Sequence, residues 1–334
     1  MRAVVLVGGF GTRLRPLTNS VPKPMLPVGH VPIIERLIGN LARSGVTEVV
    51  LALGFKPEPF VVAFPDGTCA GVSLVYAVEP EPLDTAGAIG FAARFAGIDD
   101  TFVVVNGDIL TDLDVSQLVA FHRARDAEAT IHLTPVEDPS AFGVVDCDED
   151  GRVRRFIEKP PPGTSPSNLI NAGTYVFEPS VVDRIAQGRK VSVEREIFPL
   201  IADVDRLWAM PTDDYWIDTG QPDLYLQANL DVVTDRRAVH NRAVGVDPGA
   251  VVGSDVEIHE SVVDAAAVVD DGAYVAHSVI LAGAHIGAGA TVGHSVVMGS
   301  IGAGAQVSNC VIGADGVVAS GEARADERIP PPVA

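Results

Sequence analysis

The N-terminal part of the chain carries a glycine-rich loop that suits phosphate binding. Residues 8–14 read GGFGTRL and follow directly on a short apolar run. Glycine lets backbone amides approach an anion closely and adopt conformations that other residues resist. The spacing matches neither a Walker loop nor a G-x-G-x-x-G dinucleotide fingerprint. By itself, the loop fits a phosphate site and a tight strand-to-helix turn equally well.

Cations close to this loop favour the phosphate reading. Arg13, Arg15 and Lys23 all lie within or shortly after it. The chain has only four lysines against twenty arginines, yet Lys23 and Lys159 both stand directly before a proline. A lysine is a compact point charge, and the proline after it would stiffen the backbone that presents that charge. The pattern favours anion binding by both lysines, although Lys56 also precedes a proline without a candidate anion site nearby.

Two aspartates are candidate metal ligands. Asp108 ends the sequence Asn106-Gly107-Asp108 after an apolar run, and Asp218 lies in Trp216-Ile217-Asp218-Thr219-Gly220. Ligands of open α/β sheets sit at the carboxyl ends of the strands. Two carboxylates there can hold Mg²⁺ and leave positions for phosphate oxygens and water, although either residue also fits an ordinary surface turn.

The elements that must position these residues are predicted to form an α/β domain. Continuous apolar runs, typical of strands covered on both faces, occur at residues 3–7, 49–53, 102–105 and 130–135. Between the first two runs, residues 33–45 keep a helical apolar spacing and end at Gly45. Strand, helix and strand in this order predict a Rossmann-like, mostly parallel sheet.

The sequence pattern changes after about residue 237, where apolar residues begin to recur at intervals of five or six positions. Val269, Val275 and Ile280 each recur 17 residues later, which predicts a short left-handed parallel β-helix of about four coils rather than a flexible linker. We predict a catalytic domain at residues 1–235, a β-helix at 243–321 and a flexible tail at 322–334. Because a short coil leaves an open apolar end, a homo-oligomer is expected.

Composition excludes several classes of partner. The formal net charge of −20 and the absence of a basic run argue against nucleic acid and acidic membranes. The three cysteines form no C-x-x-C pair, which fits a reducing cytoplasm. The N-terminal apolar run is too short for a signal peptide or a membrane span, so we expect a soluble, unprocessed cytoplasmic protein.

A set of ordered motifs resembles the sugar-nucleotide pyrophosphorylases, and most closely the mannose-1-phosphate guanylyltransferases that carry a C-terminal left-handed β-helix. Ser192–Pro199 (SVEREIFP) also resembles that branch. The remaining motifs are GGxGTRLxPLT at 8–18, PKP at 22–24, NGD at 106–108, FGVV at 142–145, EKP at 158–160, NAG at 171–173 and WxDxG at 216–220. The resemblance covers nearly the whole chain.

The resemblance implies an enzyme that joins a nucleoside triphosphate to a sugar 1-phosphate, releases pyrophosphate and requires Mg²⁺. Arg13, Lys23 and Asp108 would be catalytic, and Asp108 and Asp218 would hold the metal. The sugar phosphate would be bound by Gly143, Glu158, Lys159 and Asn171. The nucleotide would be bound by Leu6, Gly8, Gly9, Gly11, Thr12, Arg13, Lys23, Glu79, Asp84, Thr85, Asn106 and Gly107.

One position departs from the family pattern and weakens the choice of substrate. Asp84 stands where the family usually has glycine, in the turn that lies against the base and sugar. Its carboxylate would accept from the guanine N1 and N2 donors, or would mark another nucleotide or sugar. GTP with mannose 1-phosphate is the first expectation; dTTP, UTP or ATP with glucose or a cyclitol phosphate is the alternative. A non-catalytic regulatory subunit is the alternative from another class.

Overall fold

The structure of the protein, a computed structural model, describes residues 1–9, 11–54, 57–234 and 245–332. The chain forms two compact units. One comprises Met1–Gly9 and Ile34–Trp216, and the other comprises Phe10–Ile33 and Ile217–Ala334. This division differs from the predicted boundary, which kept residues 10–33 with the N-terminal domain. The predicted boundary between residues 235 and 243 lies outside the described residues.

The helices and strands before the coil follow the alternation that the apolar runs indicate. The helices are α1 (Ile33–Arg43), α2 (Glu58–Ala63), α3 (Asp84–Phe95), α4 (Val115–Ala124), α5 (Ser180–Arg184), α6 (Phe198–Ala202) and α7 (Pro222–Val233). The strands are β1 (Arg2–Leu6), β2 (Pro27–Val28), β3 (Val31–Pro32), β4 (Glu48–Leu53), β5 (Thr68–Cys69), β6 (Val72–Val78), β7 (Phe102–Asn106), β8 (Ile109–Thr111), β9 (Ala129–Pro135), β10 (Gly143–Cys147), β11 (Val153–Glu158), β12 (Leu169–Phe177), β13 (Leu207–Pro211) and β14 (Trp216–Asp218).

The first unit contains a ten-stranded mixed sheet in the order β11-β10-β12-β7-β1-β4-β6-β5, with β9 beside β12 and β13 beside β9. The N-terminal strands β1, β4, β6 and β7 pair in parallel, as predicted from their continuous apolar runs. Strand β12 then pairs antiparallel with β7, and β10 and β11 form an antiparallel pair. The carboxyl ends of β1 and β7 therefore lie side by side, which brings Leu6 opposite Asn106.

Burial explains why these segments form strands and a helix. The side chains of Ala3, Val4 and Val5 are fully buried, so both faces of β1 are covered. Helix α1 ends where predicted: Gly45 has φ 86°, and the amide of Val46 donates to the carbonyl of Leu41 (3.0 Å). A residue with positive φ directly after a helix satisfies the last carbonyls, and glycine adopts that conformation without strain.

The C-terminal part of the second unit is a parallel β-helix of five coils over residues 251–329. Its strands are β15 (Val251–Val252), β16 (Glu257–His259), β17 (Val262–Val263), β18 (Val268–Val269), β19 (Tyr274–Ala276), β20 (Val279–Ile280), β21 (His285–Ile286), β22 (Thr291–Gly293), β23 (Val296–Val297), β24 (Ser300–Ile301), β25 (Gln306–Ser308), β26 (Val311–Ile312), β27 (Val317–Val318), β28 (Ala323–Ala325) and β29 (Arg328–Ile329). Three five-stranded sheets contain every third strand.

The register confirms the repeat and corrects its end. Paired residues lie 17 apart, as in Val252 with Val269, except in one coil, where Ile286 pairs with Ile301. The prediction of a flexible tail at 322–334 was wrong for residues 323–329, which form β28 and β29. Those strands keep the ladder hydrogen bonds although their apolar pattern is weak, so the coil is longer than the four turns expected.

Residues 11–33 belong to the second unit through several polar contacts. The amide of Gly29 donates to Asn229 Oδ1 on α7 (2.9 Å), and the Tyr225 hydroxyl donates to the carbonyl of Pro27. His30 Nδ1 lies 2.6 Å from Asp264 Oδ1, which follows β17. The segment that carries Arg13 and Lys23 is therefore held by α7 and by the coil.

Candidate active site

The glycine-rich loop turns tightly at Gly11, where φ is 59°. The Thr18 hydroxyl donates to the carbonyl of Gly11 (2.8 Å), and the amide of Leu14 donates to the same carbonyl (3.0 Å). A Cβ at Gly11 would come within 2.9 Å of Thr18 Cγ2, so a side chain there meets both strain and a clash. The loop then continues as a 3-10 turn over Thr12–Leu14, with Thr12 and Arg13 exposed.

Arg13, Lys23 and Asp218 come together in the second unit, although more than 190 residues separate the aspartate from Lys23. Lys23 is only 6% exposed, and its Nζ lies 3.4 Å from Asp218 Oδ1. The amide of Gly220 donates to the same oxygen (2.8 Å). A Cβ at Gly220 would lie 2.7 Å from Arg13 Nη2, so this glycine makes room for the guanidinium. The cluster places two cations and a carboxylate around one point.

Asp108 follows β7 in the first unit, as the sequence predicts. The turn before it is tight: the amide of Gly107 donates to the carbonyl of Leu6 (2.8 Å), and a Cβ at Gly107 would lie 2.6 Å from Val7 Cγ1. Asn106 packs against Gly173, where φ is 75° and a Cβ would lie 2.6 Å from Asn106 Nδ2. Two glycines thus let the end of β7 pack closely against its neighbours, and Asp108 is half-buried there.

The predicted sugar-phosphate residues lie on β10, β11 and β12. Gly143 pairs with Glu158 across two strands, and a Cβ at Gly143 would lie 2.4 Å from Phe156. Lys159 has φ 46°, and its Nζ lies 3.7 Å from Glu158 Oε1. Asn171 donates to the Tyr175 hydroxyl (2.9 Å). The structure therefore brings Gly143, Glu158 and Lys159 to one place and anchors Asn171 on a buried tyrosine.

Glu194 is a candidate site residue that the sequence reasoning did not single out. It accepts hydrogen bonds from the Thr85 hydroxyl (2.9 Å) and the Ser192 hydroxyl (2.8 Å). Burial raises the pKa of Tyr175, and the negative charges of Glu194, Glu158 and Asp108 raise that pKa further. The carboxylates are thus electrostatic neighbours of one tyrosine. Glu194 lies in the Ser192–Pro199 motif, which indicated a branch of the family but gave Glu194 no role of its own.

The predicted base-binding turn holds two carboxylates in different environments. Glu79 is 7% exposed and accepts from the amide of Leu83 (2.9 Å). Burial raises the pKa of Glu79, while the hydrogen bond from Leu83 opposes that rise. Asp84 has φ 62°; its Oδ1 accepts from the amide of Thr85 (2.8 Å), and its Oδ2 lies 3.0 Å from Arg195 Nη2. Both Asp84 oxygens thus already have partners within the chain.

The described ranges contain neither a metal-binding cluster nor a helix that could span a membrane. No group of three or more histidine, cysteine, aspartate or glutamate side chains in those ranges is arranged to hold a metal ion. No helix among the same residues combines the length and the apolar character that a membrane span needs. His285 and His294, in the coil, are exposed.

Comparison with known families decides the class. The model of the nucleotidyl transferase family matches residues 2–235. The chain belongs to the nucleotidyl transferase family. A second model, of the GlmU-like C-terminal hexapeptide repeat, matches residues 255–324. Both the predicted nucleotidyltransferase activity and the predicted β-helix of hexapeptide repeats are thereby confirmed.

Three individual proteins show which nucleotidyl transferases the chain is similar to. The chain is 44% identical over 278 residues to a mannose-1-phosphate guanylyltransferase of Mycobacterium tuberculosis, covering 77% of this chain and 76% of that protein. It is 40% identical to a mannose-1-phosphate guanyltransferase of Pichia angusta, covering 76% and 73%. HddC from Yersinia pseudotuberculosis, solved with GMP-PN, is 29% identical with a TM-score of 0.59, covering 68% of this chain and 97% of that one.

Enzymes of this class act on a nucleoside triphosphate and a sugar phosphate and generally use a divalent metal ion. The second unit places Lys23 beside Asp218, and the first unit places Asp108 shortly after β7.

Proposed function

We propose that the protein forms GDP-mannose and pyrophosphate from GTP and mannose 1-phosphate. The observation that carries the proposal is the 44% identity to a mannose-1-phosphate guanylyltransferase over about three quarters of both chains. The cluster of Arg13, Lys23 and Asp218 supports it, because all three charged side chains that the reaction would use in the second unit are present and adjacent.

The roles follow from charge and position. The loop from Gly8 to Arg13 would bind the triphosphate, with Arg13 at the β and γ phosphates and Lys23 at the α-phosphate. Glu158 and Asn171 would bind sugar hydroxyls, and Lys159 would bind the sugar phosphate. We add Glu194 to the predicted site, because its carboxylate accepts a hydrogen bond from the hydroxyl of Thr85, a predicted nucleotide-binding residue (2.9 Å).

The residues present fit Mg²⁺. Asp108 and Asp218 would hold it, and carboxylate oxygens are the ligands that Mg²⁺ prefers in proteins. Asp218 Oδ1 is oriented by the amide of Gly220, so one candidate ligand has a fixed orientation. When bound, the ion would neutralise charge on the phosphate oxygens.

The chain's own residues would act by positioning and charge neutralisation. The attacking group is the phosphate oxygen of the sugar phosphate, which is already an anion and needs no general base. It would attack the α-phosphorus in line as pyrophosphate leaves, while Arg13 and Lys23 stabilise the charge that develops. A covalent nucleophile is not required.

The decisive experiment measures pyrophosphate release with Mg²⁺ for four nucleoside triphosphates against mannose 1-phosphate and glucose 1-phosphate. Turnover confined to GTP with mannose 1-phosphate is expected, and EDTA should abolish it. Preference for another pair would overturn the substrate assignment but keep the reaction. No turnover with any pair would favour an unusual sugar phosphate or the regulatory subunit.

The environment of Asp84 leads to a prediction about base selection. Replacing Asp84 by glycine is expected to leave the preference for GTP over ATP within about threefold, because both carboxylate oxygens are already bonded within the chain. Loss of the exposed ion pair costs up to about 1 kcal/mol. Glycine relieves roughly 1 kcal/mol of strain at positive φ. The free energy of unfolding should therefore barely change in urea titrations.

Asp205 offers a matched control for this variant. It is exposed, has φ 58° and also pairs with an arginine, Arg152 (3.5 Å). Asp205→Gly should show the same small stability change without any effect on substrate preference. A loss of GTP preference of more than about tenfold in Asp84→Gly alone would show that Asp84 reads the base.

Three further expectations remain predictions. A homo-oligomer is expected because a second subunit can cap the apolar end that a short coil leaves, and size-exclusion chromatography with light scattering would show it. The cytoplasmic location is expected from the cysteine usage. Independence from nucleic acid and membranes follows from the net charge of −20.

A further inference from the structure

The end of the coil contacts the backbone of the glycine-rich loop. Arg328 Nη1 donates to the carbonyl of Arg13 (2.9 Å) and lies 3.3 Å from the carbonyl of Arg15. These carbonyls flank the turn that presents the Arg13 guanidinium. Arg328, on the last strand of the coil, thus binds two backbone carbonyls of the segment on which the proposed reaction depends.

A second contact at the same place is steric. Gly313 has no side chain, and a Cβ there would lie 2.7 Å from Pro16 Cβ and 3.0 Å from Pro16 Cγ. The ring of Pro16 is rigid and includes the backbone nitrogen, so it cannot move away from residue 313 unless the backbone of the loop moves too. The absence of a side chain at residue 313 therefore allows the loop to pack against the coil.

Backbone hydrogen bonds within the coil fix the positions of Gly313 and Arg328. The amide of Gly313 donates to the carbonyl of Ile329 (2.8 Å), and the amide of Val311 donates to the carbonyl of Glu327 (2.9 Å). Arg328 is thereby enclosed by ladder hydrogen bonds on either side. Each coil is fixed by its neighbours along the stack, so the position of Arg328 is set by the whole β-helix.

We propose that Arg328 and Gly313 are positioning residues for catalysis: the last coils hold the backbone around Arg13 in the conformation that binds the triphosphate. The proposal rests on the proposed function of the loop. It assigns the β-helix a role in the reaction beyond assembly. A displacement of about 1 Å in a positioning element can cost up to about 100-fold in rate, which sets the scale of the effect.

The test compares Arg328→Ala, Arg328→Lys and a matched control, Arg324→Ala. Arg324 lies on β28, and its ion pairs go to Glu322 and Glu327. Arg328→Ala is expected to lower kcat/KM for the nucleoside triphosphate by about tenfold or more, and Arg328→Lys, which still donates to a carbonyl, to recover most of it. Arg324→Ala should stay within about twofold, and KM for the sugar phosphate should change little in all three.

Gly313→Ala provides an independent variant with its own control. It is expected to lower kcat/KM like Arg328→Ala, because the new methyl group displaces Pro16. At Gly293, also in the coil, an added Cβ would meet no atom within 4 Å, so Gly293→Ala should be silent. Wild-type activity in Gly313→Ala together with Arg328→Ala would overturn the proposal.

Hydrogen–deuterium exchange separates this proposal from the proposed function. In Arg328→Ala the amides of residues 11–19 should exchange faster, while those of β1 and β7 stay unchanged. This readout needs no substrate, so it holds even if GTP and mannose 1-phosphate prove to be the wrong pair. Unchanged exchange in the loop, or an equal rise throughout the chain that Arg328→Lys does not reverse, would contradict a positioning role.

Discussion

Replacing Lys23 by methionine is expected to lower the turnover number by about 100- to 1,000-fold, the range seen when one group that stabilises developing charge is removed. Lys23 is almost fully buried and lies 3.4 Å from Asp218, so its ammonium group is held in place rather than mobile in solvent. Methionine keeps the apolar stem and removes only the charge. Pyrophosphate release at saturating substrates measures the loss, and thermal denaturation should show a folded protein.

Lys190 is the matched control for Lys23, because it is exposed and outside the predicted site. Lys190→Met should keep turnover within about twofold of wild type. If Lys23→Met raised only KM for the nucleotide and left kcat unchanged, Lys23 would bind the ground state and the transition state equally. That result would contradict its assignment to the developing charge.

Replacing Asp218 by asparagine should lower kcat/KM by on the order of 100-fold and raise the Mg²⁺ concentration needed for half-maximal rate by about tenfold or more. Asparagine keeps an oxygen that can accept from the amide of Gly220, so the turn should survive. The variant loses the negative charge that faces Lys23 and would bind the metal. A Mg²⁺ titration of the rate measures both effects.

Asp214 lies four residues earlier in the chain, is exposed and serves as the control for charge loss. Asp214→Asn should retain the wild-type Mg²⁺ dependence. If Asp218→Asn lowered the rate with no change in that dependence, Asp218 would act by orienting Lys23 rather than by binding metal. Metal-dependent binding of the nucleotide, followed by calorimetry, would then distinguish the two roles.

The sequence predicted the parts of the fold that depend on local patterns. Helix α1 and its end at Gly45 follow from apolar spacing and one glycine, and the strand before Asp108 follows from a continuous apolar run. The coil follows from a 17-residue recurrence, which reports directly on parallel neighbours. In each case the information lies within a few residues or one repeat.

The parts that were missed depend on contacts between distant residues. The last coil lacks strong apolar periodicity, and its strands are recognisable only through their pairing with β25 and β26. Likewise, nothing local shows that Gly29 and His30 contact α7 and the coil. Interactions of this kind leave no periodic signal in the sequence.

Asp84 shows an intermediate case. The sequence identified it as a departure from the glycine usual in the family, and interpreted it through its charge alone. The structure adds that the residue has φ 62°, a conformation that glycine adopts freely and that aspartate tolerates better than most residues. The carboxylate of Asp84 forms an ion pair with Arg195, which lies 111 residues away in the chain and was not indicated by any motif.

The distance along the chain between the glycine-rich loop and Arg328 has a consequence for biosynthesis. The two are 315 residues apart, so the ribosome makes the loop long before it makes Arg328. At about 5 to 20 residues per second, the interval is about 15 to 60 s. The parallel strands β1, β4, β6 and β7 can assemble during that time, while the loop waits. A nascent chain that has already formed its sheet would therefore still lack a competent triphosphate site until Arg328 has been made.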